Sequence, residues 1–146
     1  MAKKNAQKYY GDIGLLILRL GLGAMFIFHG WPKISGGAQL WPGFGEAVSF
    51  CGINFGFMFW GFMAACAEFF GGIFIALGIA FRLFCFLLAI TMIVASFMHL
   101  GKGEGLAAAA HAIEMGIVFI SLFFIGPGNF HAGNLVQMLG KKKRNK

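Results

Sequence analysis

Four apolar runs constrain this chain more than any other feature. They cover residues 13–31 (IGLLILRLGLGAMFIFHGW), 57–80 (FMFWGFMAACAEFFGGIFIALGIA), 82–100 (RLFCFLLAITMIVASFMHL) and 109–126 (AAHAIEMGIVFISLFFIG). Crossing the hydrocarbon of a bilayer as a helix takes about 20 predominantly apolar residues. Strands of a membrane barrel would be about 10 residues long and would alternate strictly, which these runs do not. The expected fold is therefore an all-α membrane protein, a bundle of four transmembrane helices. Composition agrees: 59% of the 146 residues are hydrophobic and only 12% are charged, against about 25% charged in a typical soluble domain. With 23 Gly and 19 Phe, the helices have the small residues that let backbones approach closely in lipid.

The length fits a single domain over residues 1–146, with a basic tail at 127–146. The net charge of +7 comes from the two ends: Lys3, Lys4 and Lys8, then Lys141, Lys142, Lys143, Arg144 and Lys146. Short basic flanks beside apolar spans set topology by the positive-inside rule. They give no reason to expect nucleic acid. Placing both termini inside puts nine Lys and Arg on the cytoplasmic side, with Arg82 in the turn between the second and third spans, and leaves only Lys33 and Lys102 outside. The expectation is N-in and C-in. Arg19 interrupts the first run, and HGWPK follows it where a signal peptide would carry small cleavage-site residues, so this run reads as a retained span. The external connection 32–56 is long and semi-apolar, with two prolines and Trp41 following Trp31. It reads as a segment lying at the membrane interface, with a lid over the bundle as the alternative. Cys51, Cys66 and Cys85 form no C-x-x-C pair and imply no disulfide framework.

Ionisable groups inside hydrocarbon are costly and generally turn toward a bundle interior, a cavity or one another. Here they are Arg19, His29, Glu68, His99, His111 and Glu114. At about 1.5 Å per residue, His29, His99 and His111 fall at the external ends of three different spans. Glu114 follows His111 by three residues, on the same face and about one turn deeper. Arg19 and Glu68 both fall near mid-depth. Two layers follow: an Arg19–Glu68 ion pair below, and His29, His99, His111 and Glu114 near the external rim. The lower pair either fixes the packing of the first two spans or orients an anionic or carbonyl-bearing ligand, a bidentate task that suits Arg. An acid and imidazoles sharing one cavity are the equipment of proton-coupled redox chemistry at a quinone, with Phe28, Trp31 and Trp60 available to flank a ring. Three imidazoles and a carboxylate can also hold zinc, copper or iron. No two of these histidines are three or four residues apart on one helix, however, so the spacing specifies no metal. His131 lies past the fourth span and cannot join the group. No phosphate-binding loop, nucleophile elbow or H-E-x-x-H occurs, which removes nucleotide and soluble hydrolase chemistry.

The pieces RLGLGAMFIFHGWPKI, EFFGGIFIALGIAFR, His99, Glu114 and the GPG at 126–128 together resemble the DoxX family of small four-span bacterial membrane proteins. The pattern runs through nearly the whole chain. After GPG, many members continue with a segment ending in Asp where this chain reads NFHAGNL. By position, the resemblance carries over Arg19, His29, Lys33, Glu68, Arg82, His99 and Glu114 as family-pattern residues. It implies a multi-pass protein of the bacterial inner membrane. It also implies an association with quinone-linked oxidoreductases and with oxidative or thiol stress, quinone being the expected cofactor. Two roles follow: a redox component binding a quinone-like ring, or a non-catalytic scaffold subunit or small-solute carrier, either as a homo-oligomer or beside a partner oxidoreductase subunit. Fold membership alone does not decide between them.

Overall fold

The computed structural model describes residues 2–134, and side chains from residue 6 onward; the basic tail from Lys141 to Lys146 lies outside the described residues. The chain is all-helical over that range. Helix α1 spans Ala2–Ser35, a short α2 spans Trp41–Gly45, a 3₁₀ turn covers Glu46–Cys51, and α3 (Phe57–Leu77), α4 (Phe81–Gly101) and α5 (Gly105–Ile125) complete the order. Helices α1, α3, α4 and α5 are long and apolar enough to cross a membrane. They form the expected four-helix bundle. Its proximal end holds the turn between α3 and α4 and residues 126–134. Its roof end holds α2 and the 3₁₀ turn.

Small residues set the helix registers. A Cβ on Gly72 would come within 2.7 Å of the Gly23 carbonyl, and one on Gly30 would strike the Phe69 backbone. Close approach of this kind is what holds helices together in lipid, where apolar burial alone gives no preference for protein over acyl chains. The same device seats the roof: α2 crosses α3 where Gly45 and Gly61 meet the backbones of Phe57 and Trp41. The 32–56 connection is thus more than an interfacial anchor. It is a built element packed on the first half of α3, with Trp41 against Phe62 at 4.7 Å between ring centroids.

The core lies in the proximal half. Phe26, Ile75, Phe81, Cys85, Leu88, Phe119 and Leu122 are buried there, with Phe26 edge-on to Phe119 at 4.9 Å. All three cysteines are free. Cys85 sits fully in the core, where a thiol acts as a small hydrophobe. Helix α3 stops at Gly78, whose φ of +68° forms a left-handed C-cap that returns its N–H to the Ile75 and Phe74 carbonyls. That turn leads directly into α4.

Candidate functional site: an ion pair between two chambers

The α1–α3 register brings Lys33 over Glu68. Lys33 Nζ lies 2.5 Å from Glu68 Oε1, and Glu68 is only 4% exposed. Lys33 sits in the last turn of α1. Its backbone carbonyl accepts a hydrogen bond from the Trp41 indole N–H at 2.9 Å, which ties the roof to the charged residue. The Lys33 ammonium also lies 5.2 Å from the centre of the Phe44 ring, a cation–π distance. Glu68 Oε2 is buried and has no hydrogen-bond partner among the described residues.

Two chambers meet at this pair. The first, about 300 Å³, is lined by His29, His99 and His111 along with Phe26, Lys33 and Glu68. The second, about 440 Å³, lies under the roof and is mostly apolar: Phe44, Val48, Trp60, Leu87 and Val94 line it, with Lys33 and Glu68 again in its wall. Ala95 and Met98 also face both spaces, so the ion pair and these two side chains form the partition.

The histidines of the first chamber come from three helices. The rings of His29 and His111 are 6.1 Å apart between centroids. His99 Nδ1 lies 2.5 Å from Glu104 Oε2. A carboxylate only accepts, so the imidazole Nδ1–H is the donor. That hydrogen bond holds the Glu104 carboxyl below its ordinary pKa, with the charges of His99 and Lys102 adding to the effect. Among the described residues, no three His, Cys, Asp or Glu side chains stand close enough to hold a metal ion.

The family model described as DoxX matches residues 14–101, more than half of the chain. The chain belongs to the DoxX family. Comparison with curated proteins and with solved structures gave no match. With its four apolar helices, this DoxX chain is an integral, multi-pass membrane protein. The matched region holds Arg19, His29, Lys33, Glu68 and His99, and it ends before α5. His111 and Glu114 therefore lie beyond it.

Three expectations about side chains are corrected. The first is the Arg19–Glu68 pair, which does not form in this DoxX chain. Glu68 is held by Lys33, and Arg19 lies about 21 Å farther down α1. Arg19 is 1% exposed and packs against Gly78. It donates to the backbone carbonyls of Pro127, at 2.8 Å, and of Phe130. The mid-depth estimate failed because the first half of α3 packs under α2, so the level of Glu68 corresponds to the end of α1 and not to its middle.

The second correction concerns Glu114, which is exposed on the outer side of α5. His111 already stands at the chamber edge, and three further residues turn the helix about 60° away from it. The third concerns Trp31, which is exposed and lies tilted against Phe69 at 5.7 Å between ring centroids, outside both chambers. His29, His99, His111, Glu68 and Trp60 do line the chambers. Lys33 is the chamber-lining residue that depth reasoning left in a loop. Its signal was present, because it follows His29 by four residues and so shares its helix face.

Proposed function

We propose that this DoxX protein is a redox-associated membrane component that binds a quinone-like ring between its two chambers. The observation that carries this reading is a half-buried lysine paired with a buried glutamate, the two lining a histidine-bearing chamber on one side and an apolar chamber on the other. Ligand sites are concave and mostly apolar, with a few convergent polar groups that fix orientation. A ring would sit near His29, His99 and His111, where imidazoles can hydrogen-bond to its oxygens and exchange protons with them. An attached apolar chain would extend beneath Trp60 and Phe44. The chain's own part is to bind, orient and relay protons; a quinone supplies the electron chemistry. The excess of Lys and Arg at the chain ends supports an orientation with both termini on the cytoplasmic side of an inner membrane, in which the histidine chamber would open toward the outer side.

The test is a lipid-preserving preparation assayed for co-purifying quinone and for an effect on quinol oxidation by the membrane. Bound quinone that is lost with His29→Ala supports the reading. A preparation free of quinone that leaves quinol oxidation unchanged refutes it.

A second reading is favoured by Glu114. It lies about 14 Å along α5 from the helix start, exposed, with no ion-pair partner among the described residues. A carboxyl at that depth is retained when something covers it. As a scaffold subunit, this protein would present α5 to a partner subunit or to a second copy. Glu114→Gln would then change the assembly size on a native gel while leaving ligand content intact.

A further inference from the structure

The Lys33–Glu68 contact uses one carboxylate oxygen and leaves the other buried without a donor among the described residues. Because the carboxylate is ion-paired, it can only accept hydrogen bonds. A buried acceptor without a donor is unfavourable, and any group that enters either chamber meets this residue, since Glu68 lines both. The terminal torsion of a glutamate is broad, so Oε2 can turn toward a chamber while Oε1 stays on Lys33. A ligand carbonyl placed there would set one acceptor against another. A ligand hydroxyl would complete the site.

Resting on the ligand reading above, we infer that the site is selective for the hydroxyl-bearing, reduced form of its ring ligand. Glu68 Oε2 accepts the ring O–H, and the apolar chain of the ligand occupies the 440 Å³ chamber under α2. Form selection and chain binding then rest on different residues. Glu68 distinguishes hydroquinone from quinone. Ala64, Leu87 and Val94 take up the apolar chain whichever form is bound.

Binding of a decyl-tailed hydroquinone, the corresponding quinone and the dimethyl ether of the hydroquinone is measured anaerobically by quenching of the intrinsic tryptophan fluorescence of the unaltered protein. A hydrogen bond to a charged acceptor is worth about a tenfold preference or more, so the hydroquinone should bind about tenfold tighter than either of the other two. Glu68→Gln, whose amide can also donate, should bring that ratio close to one. Ala64→Phe, which fills the apolar chamber, should weaken all three ligands together and keep the ratio, so selection remains measurable even if Glu68→Gln folds poorly. Equal binding of hydroquinone and quinone, or of hydroquinone and its dimethyl ether, overturns the inference while sparing the ligand reading. Binding of none of the three overturns both.

Discussion

The two ends of the bundle each hold a basic side chain, buried at Arg19 and half-buried at Lys33, and they satisfy it in opposite ways. At the proximal end, Arg19 donates to the main-chain carbonyls of Pro127 and Phe130. Asp12 pins the same segment by accepting from the Asn129 backbone N–H at 3.0 Å and from its side-chain amide at 2.7 Å. The chain leaving α5 is thereby fastened to α1, with Gly78 leaving room for the guanidinium. At the roof end, Lys33 meets another side chain, Glu68, which keeps one oxygen unpaired beside two chambers. A charge spent on backbone carbonyls cements a fold. A charge paired with another side chain, with hydrogen-bonding capacity to spare, can be diverted to a ligand. The difference separates structural from functional polarity in a bilayer, where residue type alone would treat both alike.

The largest expected effect breaks the proximal end. Arg19→Met removes two hydrogen bonds from a charged donor and leaves two carbonyls unpaired, at about 3–6 kcal/mol. Unfolding in bicelles should show that loss, and hydrogen exchange should rise across residues 127–134. No second substitution should rescue it, because the partners are main-chain atoms. Stability close to that of the parent protein would remove the distinction between the two ends.

The roof pair should behave differently. Lys33→Met alone leaves a buried carboxylate without its cation and should cost about 3–5 kcal/mol. Adding Glu68→Leu should recover most of that stability, since well-packed apolar replacements of a buried pair are often neutral or better. Ligand binding should not return with it. A double variant as unstable as Lys33→Met alone would make the pair structural, like Arg19.

A smaller effect probes the neighbour of Arg19. Gly78→Ala puts a methyl group onto the guanidinium at a φ of +68° and should cost about 1–3 kcal/mol. The equivalent change at Gly103, which has a positive φ but open space around it, should be milder in the same thermal assay. Equal losses at the two sites would show that backbone strain, and not the fit around Arg19, sets the cost at Gly78.

The smallest effect lies in the roof-end loop. Glu104 has a folded pKa below its ordinary value. Its contact with His99 therefore stabilises the loop above the ordinary carboxylate range and is lost as the pH falls through the lowered folded value. Carboxyl carbon shifts of Glu104 should titrate below the usual midpoint and return to it in His99→Ala. A midpoint unchanged by that substitution would disconnect the loop from the histidine chamber.

The sequence by itself determined the class. Runs of about twenty apolar residues admit only spanning helices, because lipid offers a bare backbone no hydrogen-bond partner. The cost of ionisable groups in lipid was enough to pick out Glu68 as a buried residue, and His29, His99 and His111 as chamber-lining residues, although His29 and His111 keep an exposed side; family-pattern pieces were also legible along the chain. Pairing was not legible. Whether Glu68 meets Arg19 or Lys33 depends on how far α1 slides along α3, and that is settled by glycine contacts such as Gly23 on Gly72, and by α2 occupying the first half of α3. The outward turn of Glu114 is of the same kind, since one helix face is defined only by the neighbours packed against it. Periodicity gives depth and angle along a single helix. The register between helices is a collective result of close packing, and only the tertiary structure contains it.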